Sequence, residues 1–464
     1  MDKNEEILTD AEIDQLNKFV TEGDYISESS KLSKNDVVSD KSLEGTVSDS
    51  VNFESYPSWR GIIRKNFPRL ILATEVVASL FGQLLIKDIS NPGALVVIDV
   101  PSAGKTVTLN FFSGFEKSLS LDNFTPASFV SQAANVKPEK LKDIDLLPKI
   151  KDKVLIIRDL APLFGLRDDD LLKSMGILTR VLDGEGLELS GGVHGQRGYS
   201  GDYSFMFLAA STPISPKVFK LMGNLGSRLF FLNLRSEKKG EEEIAAQLVS
   251  ISWKQKQSVC KTATHNFLKS LWLKYPNGIE WNKNEDPKDS LLIISRCASL
   301  LSKLRGSINV WKEDGGDNYS YQEPIIEMPD RISQILYNFA RGHALICGRT
   351  NVNHDDLGII LHIAFDSAPF SRSRLFRILL ESGGKISTDG VMQKINCSRP
   401  NALREMETLK VLGLADLKND EYGMANKPSK ILTLKSEFSW FIGEECAFIQ
   451  QTSKDFYYGE GEKK

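Results

Sequence analysis

From Trp59 onward, short and nearly continuous apolar runs alternate with stretches of helical spacing. Leu95–Ile98, Val154–Ile157, Ser204–Ala210 and Leu229–Leu234 are rich in β-branched, aliphatic and aromatic residues. Runs of this kind suit strands buried on both faces of a sheet. Leu72, Val76, Leu80 and Leu84 predict a helix over Arg69–Leu85 that leads into the first run. Pro126–Gln132 offers another strand, and residues 135–152 a polar connection with a short helix. Strands alternating with helices predict an α/β core over residues 59–236.

Downstream the pattern changes. Residues 237–368 read as helical, with Ile251, Trp253, Phe267, Leu271 and Trp272 as expected core and two further helices over Ile332–Leu345 and Asp355–Ile363. Residues 369–445 predict three helices, Ser373–Glu381, Thr388–Ile395 and Arg399–Leu412, with turns at Gly383-Gly384 and Asn396. Two short strands follow, Leu414–Leu417 and Ile431–Leu434, which completes the order of a winged helix. Residues 446–464 form a polar tail. At the other end, residues 1–58 are acidic; 22–56 lack large apolar groups and are expected to be disordered. A short helix over Asp10–Val20 places Ile13, Leu16 and Phe19 on one face.

Composition narrows this picture. The 464 residues are 41% hydrophobic, enough for about three domains at ~150 residues each. No apolar run is long enough to span a bilayer and no secretory signal is evident, so no membrane association is expected. Cys260, Cys297, Cys347, Cys397 and Cys446 are widely scattered, which points to reduced thiols in the cytoplasm and to no zinc site. The net charge of −3 conceals an asymmetry, because 14 acidic residues against five lysines precede Trp59 and 53 basic against 47 acidic follow. A mildly basic body is compatible with nucleic-acid contact.

Candidate chemistry begins after the first apolar run. Pro101-Ser102-Ala103-Gly104-Lys105-Thr106-Val107 opens a helical pattern, the layout of a phosphate-binding loop. Gly104 permits close backbone approach, Lys105 reaches the outer phosphates, and Thr106 offers a hydroxyl to Mg²⁺. Asp99 stands where such loops have their first glycine. The plain alternative is a strand, a turn and a surface lysine. Asp159, after Val154–Ile157, is placed to hold Mg²⁺ or to cap a helix. Leu160 occupies the next position, where a water-polarising glutamate would be expected, so Glu185 is the candidate substitute carboxylate. Ser211 and Thr212 end the third run, with Thr212 a candidate γ-phosphate sensor or an ordinary turn residue. Arg228, just before the fourth run, can reach a neighbouring subunit's γ-phosphate or simply lie on the surface.

This succession of loop, strand with Asp159, strand with Ser211-Thr212, and Gly226-Ser227-Arg228 resembles the AAA+ ATPases. Within them it is similar to helicase-like and primase-associated ATPases of phages and mobile elements, distant relatives of minichromosome-maintenance helicases. The stretch Leu178–Glu185, the Gly-rich segment after it and Phe207–Pro213 carry the closest likeness. The resemblance implies an α/β P-loop NTPase core with a helical lid over 237–368 and ATP and Mg²⁺ as cofactors. Lys105, Thr106, Asp159, Thr212 and Arg228 would form the nucleotide site, with Arg331 a candidate second sensor. It also implies a homo-oligomer, a hexameric ring in many relatives, with DNA and replication proteins as partners. His194 and Arg197, in a glycine-rich hairpin over 187–202, and Arg399, Asn401 and Arg404, on the third helix of the winged helix, are the candidate DNA contacts. The competing reading is a nucleotide-regulated DNA-binding or adaptor protein with little turnover.

Overall fold

The computed structural model describes residues 54–133, 136–190, 195–226, 228–236, 240–249, 252–312, 319–419 and 429–458. The expectations for the helix 10–20, for the tail 22–53, for Ile251 and for His194 lie outside the described residues. Residues 52–464 group into one compact unit.

The four apolar runs become strands, and three further strands fall among them. In chain order they are β1 (Ala94–Ile98), β2 (Ser118–Leu121), β3 (Val154–Ile157), β4 (Gly186–Ser190), β5 (Gln196–Ser200), β6 (Met206–Ser211) and β7 (Phe230–Asn233). Five of them form a parallel sheet in the order β2-β3-β6-β1-β7. The strand β2 is Ser-Leu-Ser-Leu, half-buried at the edge, whereas Pro126–Gln132 forms no strand and opens with a short 3-10 turn at Pro126–Ser128. Its position accounts for this: the segment packs beside the helix Asp168–Val181, outside the sheet.

Alternation along each strand splits the interior into two layers. Leu95 and Val97 of β1 join Val154, Ile156, Leu208, Phe230 and Leu232 in one core. Ala94, Val96 and Ile98 join Leu155, Ile157, Phe207 and Phe231 in the other. The second layer is covered by the helices Asp168–Val181 and Pro216–Leu225. On the first layer lie the helices Ile71–Gln83, Lys105–Phe112, Trp253–Lys274, Lys288–Arg305, Asp330–Ile346 and Leu357–Asp366. The helices of 237–368 thus share one continuous core with the sheet. Phe267 and Leu271 are buried there as expected, but Trp253 is half-exposed, meeting Phe67 edge-on at 4.9 Å.

Two glycines let the helices Ile71–Gln83 and Asp330–Ile346 touch backbone to backbone. A Cβ on Gly342 would stand 2.1 Å from the Ser79 carbonyl oxygen, and one on Gly82 2.7 Å from that of Gly342. The helix Tyr56–Asn66 begins slightly before Trp59, and Ser55 caps the Ser58 amide at its start.

The three helices expected in residues 369–445 are found close to their expected bounds, whereas the expected polar tail over 446–464 is corrected: Glu444–Tyr458 is a helix whose Cys446 and Ile449 are buried in the core. The helices Phe370–Glu381, Thr388–Ile395 and Arg399–Val411 are followed by a small antiparallel sheet. With β8 (Val310–Lys312) and β9 (Tyr319–Tyr321) forming a separate hairpin, this sheet consists of β10 (Lys385–Ser387), β11 (Ala415–Asn419) and β12 (Lys430–Leu434) in the order β10-β12-β11. Among the described residues no helix is long and apolar enough to cross a membrane.

Candidate functional site

In a parallel α/β sheet, ligands bind beyond the carboxyl ends of the strands. Lys105 and Asp159 both stand at that edge, after β1 and β3, and Ser211 ends the strand β6 that lies between them. The register sets Ser211 directly beside Ile98. Three segments remote in sequence therefore meet at one edge.

The loop after β1 has the build of an anion cradle. Gly104 precedes the helix Lys105–Phe112 with φ +99°, and no side chain caps that helix's first amides. Those amides and the positive end of the helix dipole are the elements that hold phosphate. Ser102 also takes a left-handed conformation, φ +64°, rare for a residue with a Cβ. The Lys105 ammonium folds back over the loop and donates to the carbonyls of Asp99 at 2.7 Å and Val100 at 2.6 Å. Partial burial pushes its pKa below the ordinary lysine value, against the opposing pull of Asp99 and Asp159. Thr106 is exposed, so its hydroxyl is accessible. The Ser211 hydroxyl is buried and makes no hydrogen bond, an orphan donor at the same edge. Pro101 is exposed on the loop, while Ala103 and Val107 are half-buried against the core. These residues could hold a phosphate group, and Thr106 and Asp159 offer oxygens that could face a divalent cation.

Replacing Gly104 with alanine would force a Cβ into a left-handed backbone, 3.1 Å from Leu70 Cδ2. The expected cost is about 1–2 kcal/mol, readable by thermal denaturation of the variant. An unchanged midpoint would contradict this account of the loop.

Asp99, the departure from the usual glycine, is a brace. Its carboxylate is buried and accepts from the Val100 amide at 2.7 Å and the Ser236 amide at 2.9 Å. Ser236 Oγ in turn donates to the Ala103 carbonyl at 3.2 Å. The neighbouring Arg235 pairs with the buried Asp366, which Arg377 of the helix Phe370–Glu381 also contacts at 3.1 Å. No local sequence signal announced this, because Ser236 lies far along the chain.

Other candidates fall elsewhere. Asp159 Oδ1 accepts the Ala161 amide at 2.9 Å, so it caps a short helix while remaining exposed at the site. Thr212 is exposed just beyond Ser211. Leu160 is buried in the second core layer, pointing away from solvent. Glu185 must be corrected: Gly184 beside it packs on Pro92 and Ser204, which precede β1 and β6, so Glu185 stands at the amino edge of the sheet. At ~3.3 Å per residue, the strand length separates it from Lys105 of the same chain, and it pairs instead with Arg180 at 2.7 Å. Arg228, just before β7, shares that amino edge. It holds Asp183 with two bonds, at 2.9 and 3.1 Å, and donates to the Leu225 and Gly226 carbonyls. Arg331 lies near Gly226 at this edge, so as a cofactor contact within one chain it is likewise corrected.

The nucleic-acid candidates divide. Arg197 is mostly buried in a clamp with Asp145, which is fully buried and also accepts the Tyr199 hydroxyl at 2.7 Å. A guanidinium so engaged is structural, and Arg197 as a DNA contact is corrected on that ground. On the helix Arg399–Val411, Asn401 and Arg404 are exposed, while Arg399 faces Asp389 at 3.5 Å. Ala402, Leu403, Met406, Glu407, Thr408 and Leu409 are buried. The hairpin β8–β9 packs along this helix, and the Tyr319 hydroxyl donates to the Pro400 carbonyl at 2.8 Å. Only a narrow strip around Asn401 and Arg404 is left open. Compared with protein-family models and with curated proteins, the chain matches none.

Proposed function

We propose that this chain is an ATP-binding AAA+-like protein that hydrolyses ATP in the presence of Mg²⁺ and acts on DNA, as a helicase-like or replication-associated motor of a mobile element. One observation carries the reading: Lys105, Asp159 and the unpaired Ser211 hydroxyl converge on the carboxyl edge of a parallel sheet, beside an uncapped helix start. Lys105 would neutralise the outer phosphates, Thr106 and Asp159 would hold the metal, and the metal supplies charge stabilisation for phosphoryl transfer. The order of the remaining elements supports the AAA+ likeness, with the hairpin β4–β5 entering before β6 and Arg228 at the opposite edge from Lys105. Arg228 is held by Asp183 and by the Leu225 and Gly226 carbonyls, so it would have to release them to meet a second copy's loop in a closed head-to-tail ring. The three helices and small sheet at residues 370–434 support a winged helix.

A second reading is favoured by a specific observation. Leu160 is buried and Glu185 stands at the far edge, so neither polarises an attacking water near Lys105 of the same chain. A nucleotide-operated switch with little turnover follows from that arrangement. Calorimetric titration with ATP and Mg²⁺, together with phosphate release with and without single-stranded DNA, separates the two. DNA-stimulated release supports the motor, tight binding without release supports the switch, and absence of binding overturns both.

A further inference from the structure

Where the helix Leu357–Asp366 meets the helices Phe370–Glu381 and Glu444–Tyr458, the packing leaves a cavity of about 290 Å³. That volume is close to the lower end of what small-molecule sites enclose. Part of its lining is apolar: Leu361, Phe365 and Phe441 are buried and Leu380 is half-buried. The Phe365 and Phe441 rings stand edge to face, with centres 6.1 Å apart and planes at 81°. Ile442 and Ala447 also line it and are exposed, so the mouth opens to water.

Two arginines converge on the same cavity. Arg235 follows β7 and Arg377 lies on the helix Phe370–Glu381, and both are part of the lining. They share one oxygen, Asp366 Oδ1, at 2.5 and 3.1 Å. The Asp366 side chain is only 6% exposed, accepts the Asn233 amide on Oδ2 at 3.0 Å, and does not line the cavity. One carboxylate thus serves two guanidiniums, and it is the guanidiniums that face the open space. Among the described residues Arg377 commits one of its five N–H groups to a hydrogen bond, that with Asp366, and its guanidinium sits 4.3 Å from the centre of the Phe365 ring. Burial and then the charge of Arg235 push the Arg377 pKa down to about 10, against the pull of Asp366 and Glu381. Glu381 lines the cavity but is exposed, where water and salt screen its charge. His362 Nδ1 lies 3.4 Å from Arg235 Nη1; arginine can only donate, so Nδ1 accepts and Nε2 gives its proton to Ser453 Oγ at 3.3 Å. The imidazole is therefore neutral and adds no charge.

We propose that this cavity is a binding site for a small aromatic anion, its carboxylate or phosphate held by Arg235 and Arg377 and its ring laid against Phe365, Phe441 and Leu361. Guanidinium groups recognise both anions through paired N–H donors. Phenyl walls favour a flat apolar body in offset or edge-to-face contact. An amine of the same shape would meet two positive groups, and an uncharged alcohol would bring no charge to answer them. The site uses none of Lys105, Thr106, Asp159 and Ser211, so it stands whether or not the chain hydrolyses ATP.

The test is equilibrium titration of the native full chain with 1-naphthoate and 1-naphthyl phosphate, with 1-naphthylmethylamine and 1-naphthalenemethanol as their cationic and neutral counterparts. One site per chain is expected, saturating with at least one of the anions below about 1 mM, and the tighter of the two tells carboxylate from phosphate. The amine and the alcohol should bind about tenfold more weakly or worse. Arg377→Gln should weaken anion binding about tenfold or more, and Lys105→Ala should leave it unchanged, which separates this cavity from the nucleotide loop. Ala447→Phe, at an exposed lining position, should obstruct the mouth and weaken binding likewise; it decides the matter if Arg377→Gln does not fold. Saturation by neither anion, equal binding of the amine or the alcohol, loss of binding in Lys105→Ala, or undiminished binding in a folded Arg377→Gln or in Ala447→Phe would each overturn the proposal.

Discussion

Lys105→Ala is expected to lower kcat/KM of the proposed ATP hydrolysis by about 10²–10³-fold, the loss typical of one preorganised charge or donor at a reacting centre. The ammonium rests on two main-chain carbonyls and belongs to no carboxylate, so it is free to exchange those contacts for phosphate oxygens. Its partial burial raises the value of the charge, since Coulomb attraction grows as water is excluded. The substitution removes little packing, so the thermal midpoint should move by only a few degrees. Phosphate-release kinetics and denaturation scans of the same preparation check both halves. Full activity in the variant would remove Lys105 from the site.

The second large effect belongs to Asp145. It is fully buried and accepts the Ser131 amide at 2.7 Å, the Tyr199 hydroxyl at 2.7 Å and the Arg197 guanidinium. Asp145→Ala leaves Arg197 mostly buried without its counter-charge, and breaking such a pair from one side typically costs about 3–5 kcal/mol. Denaturant titration should show a loss of that order. Hydrogen exchange should rise first in β4, β5 and residues 126–133, because this carboxylate ties the hairpin to that segment. A loss below about 1 kcal/mol would mean that water takes the place of the carboxylate, as at surface pairs.

The two stabilising centres differ in how far the sequence discloses them. Continuous apolar runs announced β1, β3, β6 and β7, because strands buried on both faces have no polar alternation. The edge strand β2 escaped notice because it is short and alternates serine with leucine. Capping residues and glycine turns fixed the C-terminal helices to within a few residues, since those signals are local. The candidate site was legible where its residues sit at strand ends, as Lys105, Asp159 and Ser211 do. It failed where the fold decides which edge a loop reaches: Glu185 follows the helix Asp168–Val181 back to the amino edge, and nothing in the order of residues says so. Arg197 looked available for a phosphate because its partner, Asp145, lies 52 residues away. Asp99 looked like a defect for the same reason, its second bond going to Ser236.

That bond also sets a mechanical relation. Ser236 is tied to the loop, its neighbour Arg235 to Asp366, and Asp366 to Arg377 on the first helix of the C-terminal module. The loop and the module are therefore separated by three polar contacts and a stretch of two residues. A displacement of the loop that preserves the Asp99–Ser236 bond draws Arg235 with it and unbalances the carboxylate that both arginines share. The loop after β1 and the first helix of the C-terminal module are thus mechanically coupled across a short path of polar contacts.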